Sequence, residues 1–165
     1  MILEKTNVLK NGDILHCSRN SFMSKAIRFL TRSKKISHTA LVMELEGGLF
    51  IADSQMDGTR LRPLKQWLRK FNYDVIITRT IPISSPLLLS KVSYYLNVRY
   101  DFFGMVRHAI YNITGIWITG KRPDKYFICS EFVARIIGKD EADKTNPLQL
   151  YIYCLEKGHK VIHQK

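Results

Sequence analysis

The sequence predicts an α+β domain, and three observations carry that expectation. Segments with period-two alternation gather in the first half of the chain. Segments with helical spacing gather in the second half. The 165 residues are 45% hydrophobic, enough to bury a core without disulfide support. There is no internal repeat, linker or low-complexity tract, so residues 1–165 are expected to form one domain.

The elements follow in order. NGDILH, residues 11–16, reads as a turn leading into a short strand. Ser21 is placed to cap a helix over residues 22–31, whose stripe of Phe22, Ala26, Phe29 and Leu30 is expected to pack on the core while Lys25 and Arg28 face solvent. A basic amphipathic helix of this kind can also lie on a membrane surface. HTALVMEL and LFIADSQ flank Glu46-Gly47-Gly48, the strongest hairpin signal in the chain. Asp57-Gly58 turns the chain again into TRLRPL, a further strand. PLKQWLRKF, residues 63–71, is a short amphipathic helix with Leu64, Trp67 and Leu68 inward, and DVIITRTI, residues 74–81, is a buried strand. Ser85-Pro86 opens a helix running to about Asn97, with the hydroxyl as cap and proline in the first turn. Residues 101–113 are helical and residues 115–123 form a loop. A helix begins near Cys129 and stops at Gly138, and Asn146-Pro147 starts a last helix over LQLYIYCLEKG.

The totals narrow the function. With 26 Lys+Arg against 14 Asp+Glu the chain carries a formal charge of +12, a field that attracts anionic partners. An anionic membrane surface fits that field. Nucleic acid is not expected, because no nucleic-acid motif and no basic-aromatic strand pattern accompanies the charge. Cys17, Cys129 and Cys154 form no CxxC pair, which argues against a zinc ribbon, a redox motif or a disulfide framework. No metal or cofactor is expected. MILEKTNVLKNGDIL lacks the continuous apolar run of a secretory signal, so the cytoplasm is the default expectation. The stretch 101–120 is interrupted by Asp101, Arg107 and His108 and is not read as a membrane span.

FICSEFVARI, residues 127–136, holds the residue on which a function can turn. Cys129 stands at the first turn of its helix, on the same stripe as Phe132, Val133, Ile136 and Ile137. Unpaired N–H groups collect at a helix start and lower a thiol's pKa. The plainer alternative is a small core hydrophobe, and Cys17 and Cys154 are read that way. A nucleophilic thiol needs a base. His159 and His163 stand near a terminus where chains fray, and His108 reads as a buried, satisfied histidine. His38 opens a strand at what is expected to be a sheet edge beside an opening, and is the better candidate. A third group should orient the imidazole. Glu44 lies about 20 Å away along the strand. The returning hairpin strand brings Asp53, Gln55 and Asp57 back along that side, and spacing alone does not choose among them.

The ordered set NGDIL, SHTALVM, FIADS with GTRLRPL, RYDFFG and YFICSEFVARI resembles the circularly permuted papain-like hydrolases related to NlpC, in particular their YiiX-like branch. The resemblance spans roughly residues 11–137. It implies a small antiparallel sheet or half-barrel packed on the helix that carries the cysteine. It implies Cys129 as nucleophile, His38 as base and Asp53 as orienting group, at a position where many relatives have glutamate. Tyr126, Ser130 and Tyr100 are implied near the substrate. The expected activity is cleavage of an amide or ester bond in an acylated lipid-like or cell-wall peptide substrate, or acyl transfer to another acceptor. Cys129 would carry the acyl group, with an oxyanion held by the N–H groups of Cys129 and Ser130. The alternative is a non-catalytic basic module that binds anionic membrane or nucleic acid.

Overall fold

The computed structural model describes residues 8–70, 75–79, 84–118 and 126–163. The start of the N-terminal segment, the end of the helix predicted over 63–71, both ends of the strand predicted over 74–81 and loop residues 119–123 lie outside the described residues.

The fold is α+β. Six strands form one antiparallel sheet: β1 (Asp13–Cys17), β2 (His38–Leu45), β3 (Gly48–Gln55), β4 (Gly58–Pro63), β5 (Ile76–Arg79) and β8 (Lys160–His163), in the order β4-β3-β2-β1-β5-β8. The helices are α1 (Phe22–Leu30), α2 (Leu64–Lys70), α3 (Ser85–Tyr94), α4 (Phe102–Thr114), α5 (Cys129–Ile136) and α6 (Pro147–Glu156). Two short strands, β6 (Arg99–Tyr100) and β7 (Tyr126–Phe127), pair in parallel.

Period-two alternation splits the sheet between two cores. Leu41 and Met43 of β2 and Ala52 of β3 face one way, onto Phe132, Val133 and Ile136 of α5, with Leu88 and Val92 of α3 beside them. Ala40, Val42 and Ile51 face the other way, onto Leu64, Trp67 and Leu68 of α2. His38 and Asp53 fall in the second phase, so they share the α2 side of the sheet.

Local chemistry explains the ends of the helices. The Ser21 hydroxyl accepts from the Ser24 N–H at 3.2 Å, and the Asp101 carboxylate accepts from the Gly104 N–H at 2.7 Å. Asn146 and Gln149 form a reciprocal capping box. Gly138, at φ 75°, follows α5, and the Lys139 N–H closes back onto the Ala134 carbonyl.

Four expectations need correction, and one pair of strands is added. The Ser85 hydroxyl caps nothing: Ser84 is the N-cap, without a side-chain bond, and α3 stops at Tyr94, not near Asn97. His159 and His163 do not lie in a frayed tail, because β8 pairs with β5 and closes one edge of the sheet. His38 is not at a sheet edge: β2 is held between β1 and β3, and His38 stands at the strand's end. The stripe of α1 does not pack on the core: of that helix only Ser24 is buried, and Phe22 and Phe29 face solvent. The parallel β6–β7 pair is an addition, since two-residue strands leave no periodic signal.

Candidate active site

His38 is the first residue of β2 and Cys129 the first of α5, so the two meet at the end of the sheet. Antiparallel pairing sets the third group. Leu41 faces Ala52 and Val42 faces Ile51, a register that brings Asp53 diagonally beside His38. His38 Nε2 lies 3.1 Å from Asp53 Oδ2. The same oxygen accepts from Gln55 Nε2 at 2.6 Å and from the Trp67 indole N–H at 2.7 Å. Oδ1 accepts from Arg62 Nε at 3.0 Å. The geometry thus separates the three candidates. Asp53 touches the imidazole, Gln55 bonds Asp53, and the Asp57 carboxylate is exposed and held by Arg62 Nη2 at 2.6 Å.

The ring's other nitrogen is left for the thiol, and the Cys129 sulfur hydrogen-bonds His38 and the backbone N–H groups of Thr39 and Ser130. Burial alone would push the imidazole down. The thiolate's charge and the hydrogen bonds to Asp53 and Cys129 outweigh it and raise His38 to about 10. Burial pushes the Cys129 thiol up, but the imidazolium charge and the three hydrogen bonds bring it below its ordinary value. Burial likewise opposes charge on Asp53, and bonds from His38, Gln55 and Trp67 hold its carboxyl below the usual range. The arrangement is a buried Cys129–His38–Asp53 array in which the histidine lowers the thiol and the thiol and carboxylate raise the histidine.

The other cysteines differ. Burial raises Cys17 well above its ordinary value and Cys154 to about 11, so both stay protonated thiols. His16 is buried in the sheet against Thr78 Oγ1 at 2.9 Å, and burial, helped by His159, lowers it to about 3. Asp13 of the NGD motif is tied by Arg79 through two bonds of 2.8 Å and belongs to the framework.

Cys129 opens onto a cavity of about 360 Å³ between α1 and α4. Its walls are apolar, with Ile27 and Leu30 from α1, Met105 and Ala109 from α4, and Ile128 beside the sulfur. Tyr100 lines it too. Burial and the nearby charges of Cys129 and Asp101 raise its phenol, which stays protonated. Ser130 turns its hydroxyl away, onto the Thr145 carbonyl at 2.7 Å, so only its N–H faces the sulfur. Tyr126, in β7, does not line the cavity. His108 does, edge-on to Trp117 with ring centroids 5.2 Å apart.

Two features were missed from the sequence. The helical stripe places Trp67 in the core but does not show that its buried indole N–H needs an acceptor, and Asp53 is that acceptor. The cavity had no signal, because it lies between helices whose approach no local pattern encodes.

The chain matches no protein-family model. No curated protein matches it either. Among solved structures, the metalloprotein yiiX from Escherichia coli O157:H7 (DUF1105) superposes with a TM-score of 0.62 at 18% sequence identity, covering 94% of this chain and 97% of that one. The chain shares the yiiX fold.

Proposed function

We propose that the chain is a cysteine acyl-transfer enzyme of the permuted papain-like kind, cleaving an amide or ester bond of an acylated, lipid-like substrate. One observation carries this reading: Cys129, beside the hydrogen-bonded His38–Asp53 pair and with its thiol lowered by that histidine, lines an apolar cavity. A structural cysteine would have no use for three hydrogen bonds to its sulfur and a wall of aliphatic side chains leading to it.

The Cys129 thiolate attacks the carbonyl carbon, and a C–S bond forms as the carbonyl electron pair moves to oxygen. The first N–H groups of α5 face this oxyanion. Its N-cap, Ile128, offers no side-chain bond to satisfy them. The protonated Tyr100 phenol lines the same cavity and donates to Met105 Sδ at 3.3 Å, so it would have to turn from that sulfur to reach the oxyanion. Collapse breaks the C–N or C–O bond, and His38 gives its proton to the departing amine or alcohol. Water then attacks the thioester, neutral His38 takes its proton, and the thiolate leaves as a carboxylic acid forms. An amine or alcohol in place of water gives acyl transfer by the same path. Asp53 keeps the imidazole oriented and stabilises its charged form.

The apolar walls favour an acyl chain over a cell-wall peptide stem, whose carboxylates would lose hydration there without a partner. The fold neighbour is called a metalloprotein. Among the described residues here no group of three or more His, Cys, Asp or Glu comes together to hold a metal ion.

The test is acid-quench mass spectrometry after mixing with a long-chain p-nitrophenyl ester. The expected result is an acyl adduct on the Cys129 peptide and nitrophenol release, both absent in Cys129→Ala. Hydrolysis by Cys129→Ala at the wild-type rate, with no adduct in either protein, overturns the proposal.

A further inference from the structure

We propose that the face formed by α1 and α4 docks on an anionic lipid bilayer, with the mouth of the cavity turned toward the lipid. This goes beyond the chemistry at Cys129 and does not depend on it.

The face exposes large apolar side chains that a water-facing surface gains nothing from. Phe22 is 87% exposed, Phe29 84%, Phe103 81% and Ile113 71%. Met23, Val106 and Ile113 line the cavity and are themselves exposed, so the cavity opens to the outside between these same residues. On α4, Phe103, Val106, Ile110 and Ile113 recur at helical spacing and form one stripe. On α1, Phe22, Lys25 and Phe29 share the outward face, two aromatics with a cation between them. A lysine so placed can lay its stem on lipid and keep its ammonium among headgroups.

Charge selects the occupant. Between Asp13 and Glu44 the chain has no carboxylate, yet it carries Lys25, Arg28, Arg32, Lys34 and Lys35 on α1 and the turn after it. Residues 102–118 likewise contain no acid. A bilayer rich in anionic headgroups complements both the cations and the phenylalanines. A second copy of the same face would set its cations against like charges. No helix among the described residues is long and apolar enough to cross a membrane, so the contact is with the surface layer.

The test is co-sedimentation of the full chain with vesicles of phosphatidylcholine alone, or with about a third phosphatidylserine, at low and high salt. Binding is expected to the anionic vesicles and to weaken as salt rises. The combined Phe22→Ser, Phe29→Ser, Phe103→Ser variant should lose it. Lys25→Glu with Lys34→Glu and Lys35→Glu should weaken it on the order of 100-fold. All six side chains are at the surface, and near-UV circular dichroism checks that the fold persists. Cys129→Ala should bind as wild type does, which separates this proposal from the reading of the active site. Wild-type protein that stays in solution with both vesicle types overturns it, as does unchanged sedimentation of the phenylalanine variant. A dimer that this variant converts to monomer, without vesicle binding, assigns the face to a second copy and overturns it too.

Discussion

At Asp53 one carboxylate accepts from four side chains, and that arrangement fixes the chemistry of its neighbour. Arg62, Gln55 and Trp67 hold the carboxylate still, and His38 Nε2 completes it. Charge on the Cys129 sulfur first, and the bond to this carboxylate second, favour the charged imidazole. The consequence is a definite pH dependence. The Cys129 thiol lies below its ordinary value and His38 lies at about 10, so the ion pair exists between the two. Below the thiol's pKa the sulfur gains a proton and loses reactivity. Above that of His38 the proton needed by the leaving group is gone. Iodoacetamide should therefore label Cys129 at pH 6 faster than it labels a simple thiol. In His38→Ala burial has no opposing charge, so labelling at pH 6 should fall about 100-fold or more. Peptide mapping across pH reads this out. Equal labelling rates in both proteins at pH 6 would contradict the ion pair. Cys17 and Cys154, raised by burial, should stay unlabelled throughout. Much at this scale was legible beforehand. A cysteine at a helix start and a histidine at a strand start are local features, whereas choosing among Asp53, Gln55 and Asp57 needed the strand register.

At the scale of elements, the hairpins follow their turns. Gly47-Gly48 and Asp57-Gly58 place β2, β3 and β4 in succession, and the caps at Ser21 and Asn146 stand where side-chain chemistry predicts. Gly58 has a further duty. Its φ is 92°, and a Cβ there would meet the Val98 carbonyl oxygen at 2.6 Å. This close approach lets the Thr59 N–H bond the Val98 carbonyl at 2.8 Å, and the Thr59 hydroxyl donates to the Tyr95 carbonyl. The start of β4 thus anchors the chain that leads through β6 to Tyr100 at the cavity. Gly58→Ala forces both a strained backbone and a clash with main chain, and should cost about 1–3 kcal/mol. Urea unfolding measures this, and an unchanged midpoint would show that the segment yields freely. The strands without a sequence signal share one cause. β6, β7 and β8 are short and exist because distant chain lies alongside them, so no window of sequence carries their signal.

At the scale of the molecule, the cavity is where substrate selection is expected to reside. Ala109 lies in its wall, on the α4 side. Ala109→Phe should fill part of the space, lowering kcat/KM for a long-chain ester by roughly tenfold or more while an acetyl ester is turned over much as before. Comparing the two esters distinguishes a lost subsite from a damaged catalytic group, and equal losses would place the acyl chain elsewhere. The sequence by itself determined the α+β class, the hairpin succession, most helix starts, the basic character of α1 and the pairing of Cys129 with His38 as candidates. These rest on periodicity, capping and turn chemistry, which act over a few residues. Only the tertiary structure decided that Asp53, which the resemblance had named, bonds the ring, that Trp67 and Arg62 bond Asp53, that α1 lies outside the core and that its inner face walls a cavity with α4. Those outcomes depend on strand register and on the approach of helices about eighty residues apart, and that approach is set by the packing of the whole chain.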